Sequence, residues 1–178
     1  MEDLGNLLTL IWIFPILFMF HDFEEIIMCE KWVQQNKAKI YQVLPNKMAN
    51  RIVKQFSMTT AQFSVAVLVI FIFVSLSTIL ASQYVLNKSF GDIYFFTTVQ
   101  LVFFLHAFTH IGQSILLRSI TPGAITSIVV IIPYSLLLFP ALFRYEIITW
   151  QTIWISLPLT ILIVPILLSA HWIGKKVV

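Results

Sequence analysis

The stretch LLTLIWIFPILFMFHDFEEIIM, residues 7–28, is apolar as far as Phe20 and then carries four ionisable side chains within five positions. Its apolar part, residues 7–20, is too short to cross ~30 Å of hydrocarbon at ~1.5 Å per helical residue. A helix crosses comfortably only if it continues to Met28. The stretch therefore predicts a membrane helix with polar residues inside the bilayer or at its inner boundary.

The composition indicates that lipid is the solvent for most of the surface. Hydrophobic residues make up 59% of the 178 residues, charged residues 11%, and the mean hydropathy is +0.92. A soluble domain would carry roughly twice this charged fraction. The single cysteine, Cys29, excludes an internal disulfide, and the acidic start MEDLGN argues against a cleaved signal peptide. We therefore predict a polytopic membrane protein.

The apolar runs predict an all-α membrane protein with five transmembrane helices in one domain, residues 1–178. Pro15 should kink the first helix. The polar residues 31–57 are predicted to form a basic loop with a short amphipathic piece, which lies at a membrane face and touches anionic headgroups. The five predicted helices span about 5–30, 59–84, 92–118, 122–143 and 149–172.

The basic residues predict the orientation. With five helices, nine of the eleven basic residues fall on one side of the membrane, and only Lys88 and Arg144 fall on the other. The positive-inside rule then places the amino terminus outside and the carboxyl terminus in the cytoplasm. The nine residues are Lys31, Lys37, Lys39, Lys47, Arg51, Lys54, Arg118, Lys175 and Lys176.

Histidines of the first and third predicted helices lie at similar depth. His21 is ~21 Å along the first helix from Leu7. His106 and His110 are ~20 and ~26 Å along the third helix from Ile93. Both helices run in the same direction, so these side chains all reach the cytoplasmic half of the bilayer.

The helical faces agree with this depth. His21, Glu24 and Glu25 are related by i, i+3 and i+4 and share one side of the first helix, whereas Asp22 should point elsewhere. The two histidines of the third helix form an i, i+4 pair. Because charge within a bilayer is costly, the two polar stripes should face one another and mark a functional site.

This pattern predicts a metal centre. Two imidazoles at i, i+4 can bind one metal ion, and a carboxylate adds an oxygen ligand. We predict one divalent metal held by His21, Glu25, His106 and His110, with Glu24 as general base for a metal-bound water. The two glutamates could exchange roles. Zinc is favoured, and iron or manganese would also suit the ligands. The alternative is a buried ion-pair network that fixes helix packing.

The motif HDFEE, residues 21–25, fits H-x-x-E-E, and the chain resembles the HXXEE-domain family of small bacterial and archaeal integral membrane proteins over nearly its whole length. HAFTH, residues 106–110, is similar to that family's second histidine region. The resemblance implies that the histidine and both glutamates form the family signature, and it implies no particular substrate. EEIIMCE, residues 24–30, has a looser resemblance to membrane-embedded CAAX-type proteases but lacks the arginine expected after the glutamate pair.

Three further residues are candidates for supporting roles. Gln113 continues the histidine stripe at i+7 and could orient a ligand by a hydrogen bond or make a polar contact between helices. His171 is an interfacial histidine beside Trp172 or an additional ligand. Arg118 either snorkels at the boundary or holds a lipid phosphate.

These patterns favour a metal-dependent enzyme of the cell membrane, a hydrolase acting on a lipid or membrane-embedded substrate from the cytoplasmic leaflet. With iron, the chemistry would be oxidative. One alternative is proton or metal-ion translocation, although the sequence has no repeated halves or discontinuous helices. Another is a non-catalytic small membrane subunit. Membrane lipids are the expected partners and nucleic acid is not; the sequence does not specify the oligomeric state.

Overall fold

The computed structural model describes residues 2–178, and every regular element within them is helical. A π-helical turn, Ser127–Ile131, joins α6 to α7, and a 3-10 turn, Thr160–Leu162, joins α8 to α9. The α-helices are α1 Glu2–Trp12, α2 Phe14–Val43, α3 Asn46–Phe56, α4 Thr60–Val85, α5 Tyr94–Leu116, α6 Ala124–Thr126, α7 Ile132–Arg144, α8 Trp150–Leu159 and α9 Ile163–Val177.

These helices form five spans that are long and apolar enough to cross a membrane. The result confirms the predicted all-α architecture with five helices apolar enough to cross a membrane, and it indicates a multi-pass membrane protein. Consecutive spans are numbered from the amino terminus: Leu4–Val43, Thr60–Val85, Tyr94–Leu116, Ala124–Arg144 and Trp150–Val177.

The first span is longer than the sequence predicted. Its helix continues past residue 30 to Val43, because residues 16–44 contain neither glycine nor proline to end it. Leu44 is extended, with φ −107° and ψ 147°, as expected for a residue that precedes proline. Asn46–Phe56 then forms a separate helix that buries Ala49 and Val53. The predicted basic loop 31–57 is therefore almost entirely helical.

The first span is interrupted near the predicted kink. α1 ends at Trp12 and α2 begins at Phe14. Pro15 then occupies the first turn of α2, and because proline has no N–H, the carbonyl of Ile11 in α1 lacks its usual helical donor. The helix is continuous from there to its end, so the residues of the HDFEE motif lie on one unbroken rod.

An aromatic core aligns the first, third and fourth spans. Phe14 is fully buried, and its ring centroid lies 5.4 Å from that of Phe103 and 6.1 Å from that of Tyr134. Helices in lipid associate through such close packing rather than through burial from water. Phe18 is also buried, and its ring centroid lies 6.0 Å from that of Phe103. His21 lies three residues beyond Phe18, and His106 lies three residues beyond Phe103. The core thereby brings the two histidines to one level.

The fourth span opens with a widened turn. The π-helical turn Ser127–Ile131 directly follows Thr126 and precedes Pro133. Proline cannot donate the helical hydrogen bond, and its ring crowds the preceding turn. A π-helical turn relieves this crowding, and such turns are frequent at functional sites.

The second and fifth spans are in close contact at Gly174, which provides the first prediction. A Cβ atom there would collide with the backbone carbonyl of Gln62 and lie 3.2 Å from Met58 Cε. We expect Gly174→Ala to destabilise the fold by ~1–3 kcal/mol through overpacking, measured as a lower Tm in detergent. Gly5→Ala is the control, because nothing lies within 4 Å of its Cβ position. Equal Tm values for the two variants would contradict this packing.

Candidate metal centre

The first and third spans bring together four potential metal ligands. His21 and Glu25 come from the first span, and His106 and His110 come from the third. Each offers one ligand atom, and the four atoms all lie within 4.8 Å of one another. The structure thus assembles the ligand set that the two helical i, i+4 pairs predict. We call these four residues the His–Glu group.

The His–Glu group is centred on one carboxylate oxygen. The Nε2 atoms of His21, His106 and His110 lie 3.2, 3.3 and 2.7 Å from Glu25 Oε1. A tetrahedral site with metal–ligand distances of ~2.0–2.1 Å places its donor atoms ~3.3 Å apart. The four donor atoms, all within 4.8 Å of one another, could therefore surround one metal ion. Its nitrogen and oxygen donors suit zinc, iron and manganese alike.

The His–Glu group is buried on most sides. His21 is 1% exposed, and Glu25 and His110 are also buried. The side chain of His106, by contrast, is 43% exposed. An uncompensated charge at this depth would be costly, so the imidazoles and the carboxylate must balance one another or a bound cation. His106 marks the side from which a substrate could reach the group.

Glu24 lies outside the His–Glu group. Its Oε2 accepts hydrogen bonds from the Thr126 amide at 2.7 Å and the Thr126 hydroxyl at 2.6 Å, and its Oε1 accepts one from the Ile125 amide at 3.2 Å. These amides belong to the first turn of the fourth span, where helical N–H groups have no acceptor within the helix. The general base predicted at Glu24 is therefore turned toward a neighbouring helix.

Thr126 connects Glu24 to the His–Glu group. His21 Nδ1 lies 2.8 Å from Thr126 Oγ1. Because the threonine hydroxyl donates to Glu24, its oxygen accepts the hydrogen of His21 Nδ1, and Nε2 of His21 keeps its lone pair toward Glu25. Ligating histidines are commonly oriented through the second ring nitrogen in this way. Nothing in the sequence pattern marks Thr126 for this role.

This connection provides the second prediction. Thr126→Val keeps the side-chain volume but removes the hydroxyl, so His21 loses its orientation, and metal affinity should fall by ~10–100-fold. Competition against a chelator of known affinity measures the change. Thr9→Val is the control, because the Thr9 hydroxyl is exposed and donates its hydrogen bond to the Gly5 carbonyl in its own helix. An unchanged affinity in Thr126→Val would show that the hydroxyl does not orient the ligand.

The loop between the third and fourth spans closes one side of the His–Glu group with backbone. Gly123 has φ +79°, a left-handed conformation that favours glycine. A Cβ atom there would lie 2.8 Å from both Glu25 Oε1 and His110 Cε1, and 2.9 Å from His21 Cε1. The sequence analysis places Gly123 near the start of the predicted fourth helix, 122–143, without a role at the site, so this close approach emerges from the structure.

The three supporting candidates lie outside the His–Glu group. Gln113 is exposed on the third span. Nδ1 of His171 donates a hydrogen bond to the Leu167 carbonyl at 2.7 Å. Arg118 lies two residues after the third span with φ 44°, and its carbonyl accepts a hydrogen bond from Lys39 Nζ at 3.1 Å.

A cavity of about 210 Å³ adjoins the His–Glu group. Its walls are mostly phenylalanine, valine, isoleucine and leucine, and its polar lining includes His21, Glu25 and His106. Asp22 and His171 complete the polar lining. Asp22, which the helical pattern places off the face of His21 and Glu25, is buried and lines this cavity.

Fold and site together define a helical protein with five potential membrane spans and a buried His–Glu group that could hold a metal ion. A family model described as "Protein of unknown function with HXXEE motif" matches residues 12–138, so this chain belongs to that family, as the motif resemblance indicated. The match contains all four residues of the group as well as Glu24, Gly123 and Thr126. No curated protein and no solved structure matches the chain.

Proposed function

We propose that this protein is a metal-dependent membrane hydrolase that acts on a lipid or membrane-embedded substrate. The observation that carries the proposal is the position of the His–Glu group, which lies beside a largely apolar cavity. Packing alone could use Ser, Thr or Asn at lower cost in a bilayer. Three imidazoles facing one carboxylate are better explained by a shared metal ion, and we assign zinc because histidine and carboxylate are common zinc ligands.

In this proposal, the residues divide into ligands and a positioning pair. His21, Glu25, His106 and His110 hold the ion, which would supply Lewis-acid activation of a carbonyl group and of water. Glu24 acts through Thr126 to orient His21, a role that its hydrogen bonds support better than that of a general base. His106 lies at the open side, where the substrate would approach.

The proposal places the protein in the cell membrane with its amino terminus outside and its carboxyl terminus in the cytoplasm. The distribution of basic residues supports this orientation, and the basic helix Asn46–Phe56 would then lie against anionic lipid headgroups of the inner leaflet. The His–Glu group would accordingly open within the cytoplasmic half of the bilayer.

Cysteine labelling tests this orientation. In a Cys29→Ser background, a membrane-impermeant maleimide should label Lys88→Cys in intact cells, and it should label Lys47→Cys only after lysis. Both lysines are exposed, whereas Cys29 is buried, so accessibility depends on the side of the membrane. Labelling of Lys47→Cys in intact cells would reverse the proposed orientation.

Metal content and hydrolysis together test the enzymatic proposal. Purified protein should contain about one zinc ion per chain and hydrolyse p-nitrophenyl laurate in mixed micelles. Chelation should abolish turnover, and added zinc should restore it. His106→Ala should lose both zinc and turnover, whereas Gln113→Ala, an exposed change one helical turn from His110, should keep both.

The other outcomes favour different functions. Metal-free protein that moves protons across liposomes would replace this proposal with transport. Zinc-loaded protein that does not hydrolyse the ester, yet oxidises an acyl chain when loaded with iron, would keep the metal site and replace hydrolysis with oxidative chemistry.

A further inference from the structure

The cavity beside the His–Glu group has a consistent polarity. Along the first span its lining passes from Phe14 and Phe18 to His21, and along the third it passes from Val99 to His106. The fifth span runs in the same direction as these two, and its lining also ends on a histidine, His171. The polar side chains therefore gather at one end of an otherwise apolar space.

The cavity is elongated along the helices. Its lining residues extend from Phe14 to Glu25 on the first span and from Phe63 to Val74 on the second. Each of these stretches covers ~16 Å of helix axis. A long space with apolar walls and one polar end has the form of a single lipid chain with its head at the polar end.

Two buried acceptors at the polar end have no partner. Asp22 is 6% exposed, and neither its Oδ2 nor His171 Nε2 makes a hydrogen bond within residues 2–178. His171 Nδ1 donates its hydrogen to the Leu167 carbonyl, so Nε2 carries a lone pair. Buried polar atoms nearly always find a partner. These two atoms require a donor from outside the chain.

The charged groups around the cavity restrict which lipid head group can supply this hydrogen-bond donor. The described lining holds the carboxylates of Asp22 and Glu25 and contains no lysine or arginine. A fatty carboxylate or a phosphate would therefore find no basic side chain to pair with in this lining. A cationic head group would be repelled by the positive metal ion of the proposed function. An uncharged head group with hydroxyls can donate hydrogen bonds to Asp22 Oδ2 and His171 Nε2, and it avoids the difficulties of both the anionic and the cationic head groups.

We propose that the cavity binds the chain of an uncharged single-chain lipid whose head hydroxyls donate hydrogen bonds to Asp22 and His171. This names a substrate class for the proposed function and rests on it. The His–Glu group adjoins the same polar end, so a bond near the head of such a lipid would lie close to the metal.

Direct binding tests the proposal independently of turnover. The probe is tritiated 1-O-dodecylglycerol, an ether that a hydrolase cannot cleave, bound to the full chain in nanodiscs. Its 2,3-dimethoxy derivative lacks donors, and lauric acid carries a charge. We expect wild-type protein to bind the diol at least tenfold more tightly than either competitor, with ~1 zinc ion per chain throughout.

Two substitutions test where the head group of the lipid binds, and a third tests where its hydrocarbon chain binds. Asp22→Leu and His171→Phe should each weaken diol binding about tenfold, as expected for one lost hydrogen bond to a buried group, while zinc content and Tm are retained. Val67→Trp should block binding by filling the chain site. Leu68→Trp is its control, because Leu68 is 59% exposed on the same span.

The outcomes separate the two proposals. Equal affinity for the diol and its dimethoxy derivative, or diol binding unaffected in both Asp22→Leu and His171→Phe, would overturn the lipid assignment and leave the acceptors to water. Selective diol binding by protein that never retains zinc would support the lipid site while the proposed hydrolase fails.

Discussion

Glu25→Gln is expected to leave the purified protein without stoichiometric metal. Oε1 of Glu25 is the atom that all three imidazole nitrogens face, at 2.7–3.3 Å. Glutamine preserves the size of the side chain but removes the negative charge that offsets a divalent ion in a low-dielectric site. The loss of affinity should exceed the ~10–100-fold expected for an orienting partner. Metal per chain after dialysis against a chelator measures it.

Two neighbouring glutamates provide matched controls on the same helix. Glu24→Gln weakens the orientation of His21 and should reduce metal affinity only partly. Glu30→Gln should retain the metal fully, because Glu30 accepts hydrogen bonds from Thr60 at the start of the second span. Complete loss in Glu24→Gln with retention in Glu25→Gln would reverse the assignment of ligand and orienting residue.

Gly123→Ala is expected to have the second largest effect. The new methyl group would lie 2.8–2.9 Å from atoms of Glu25, His110 and His21. A left-handed alanine adds ~1–2 kcal/mol of backbone strain. Both effects act on the His–Glu group, so metal affinity and Tm should fall together, measured by chelator competition and thermal unfolding.

Gly112→Ala is the matched control for this substitution. It lies within the third span, two residues after His110, and nothing lies within 4 Å of its Cβ position. Alanine is the better helix former, so this variant should keep its metal and gain slightly in Tm. If Gly123→Ala bound metal as tightly as Gly112→Ala, the backbone of the loop would not define the site.

The sequence was sufficient to predict the His–Glu group because its geometry depends on two regular helices. The pairs His21–Glu25 and His106–His110 are each set by the helical repeat, and membrane thickness sets their depth. Which of the two glutamates joins the His–Glu group depends on a neighbouring helix and not on the first span alone. Glu24 and Glu25 lie on opposite sides of His21, ~60° and ~40° away, and only the start of the fourth span distinguishes them.

The remaining features depend on contacts that no local pattern records. Thr126 meets Glu24 across about a hundred residues of sequence, and the fourth span has no polar stripe that would single it out. The role of Gly123 likewise depends on its contacts with Glu25 and His21, which are about a hundred residues away in the sequence. Helical angle places Asp22 off the face of His21 and Glu25, but it does not indicate that the cavity extends far enough around the first span to include Asp22.

The long second helix has a mechanical consequence. Phe14–Val43 is ~45 Å long at 1.5 Å per residue, while the hydrocarbon is ~30 Å thick, so its last turns project from the bilayer. Between Glu25 and those turns there is no glycine or proline that could act as a hinge. A molecule that displaces the projecting end would therefore also displace His21 and Glu25, two of the four residues of the His–Glu group, because both lie on the same continuous helix.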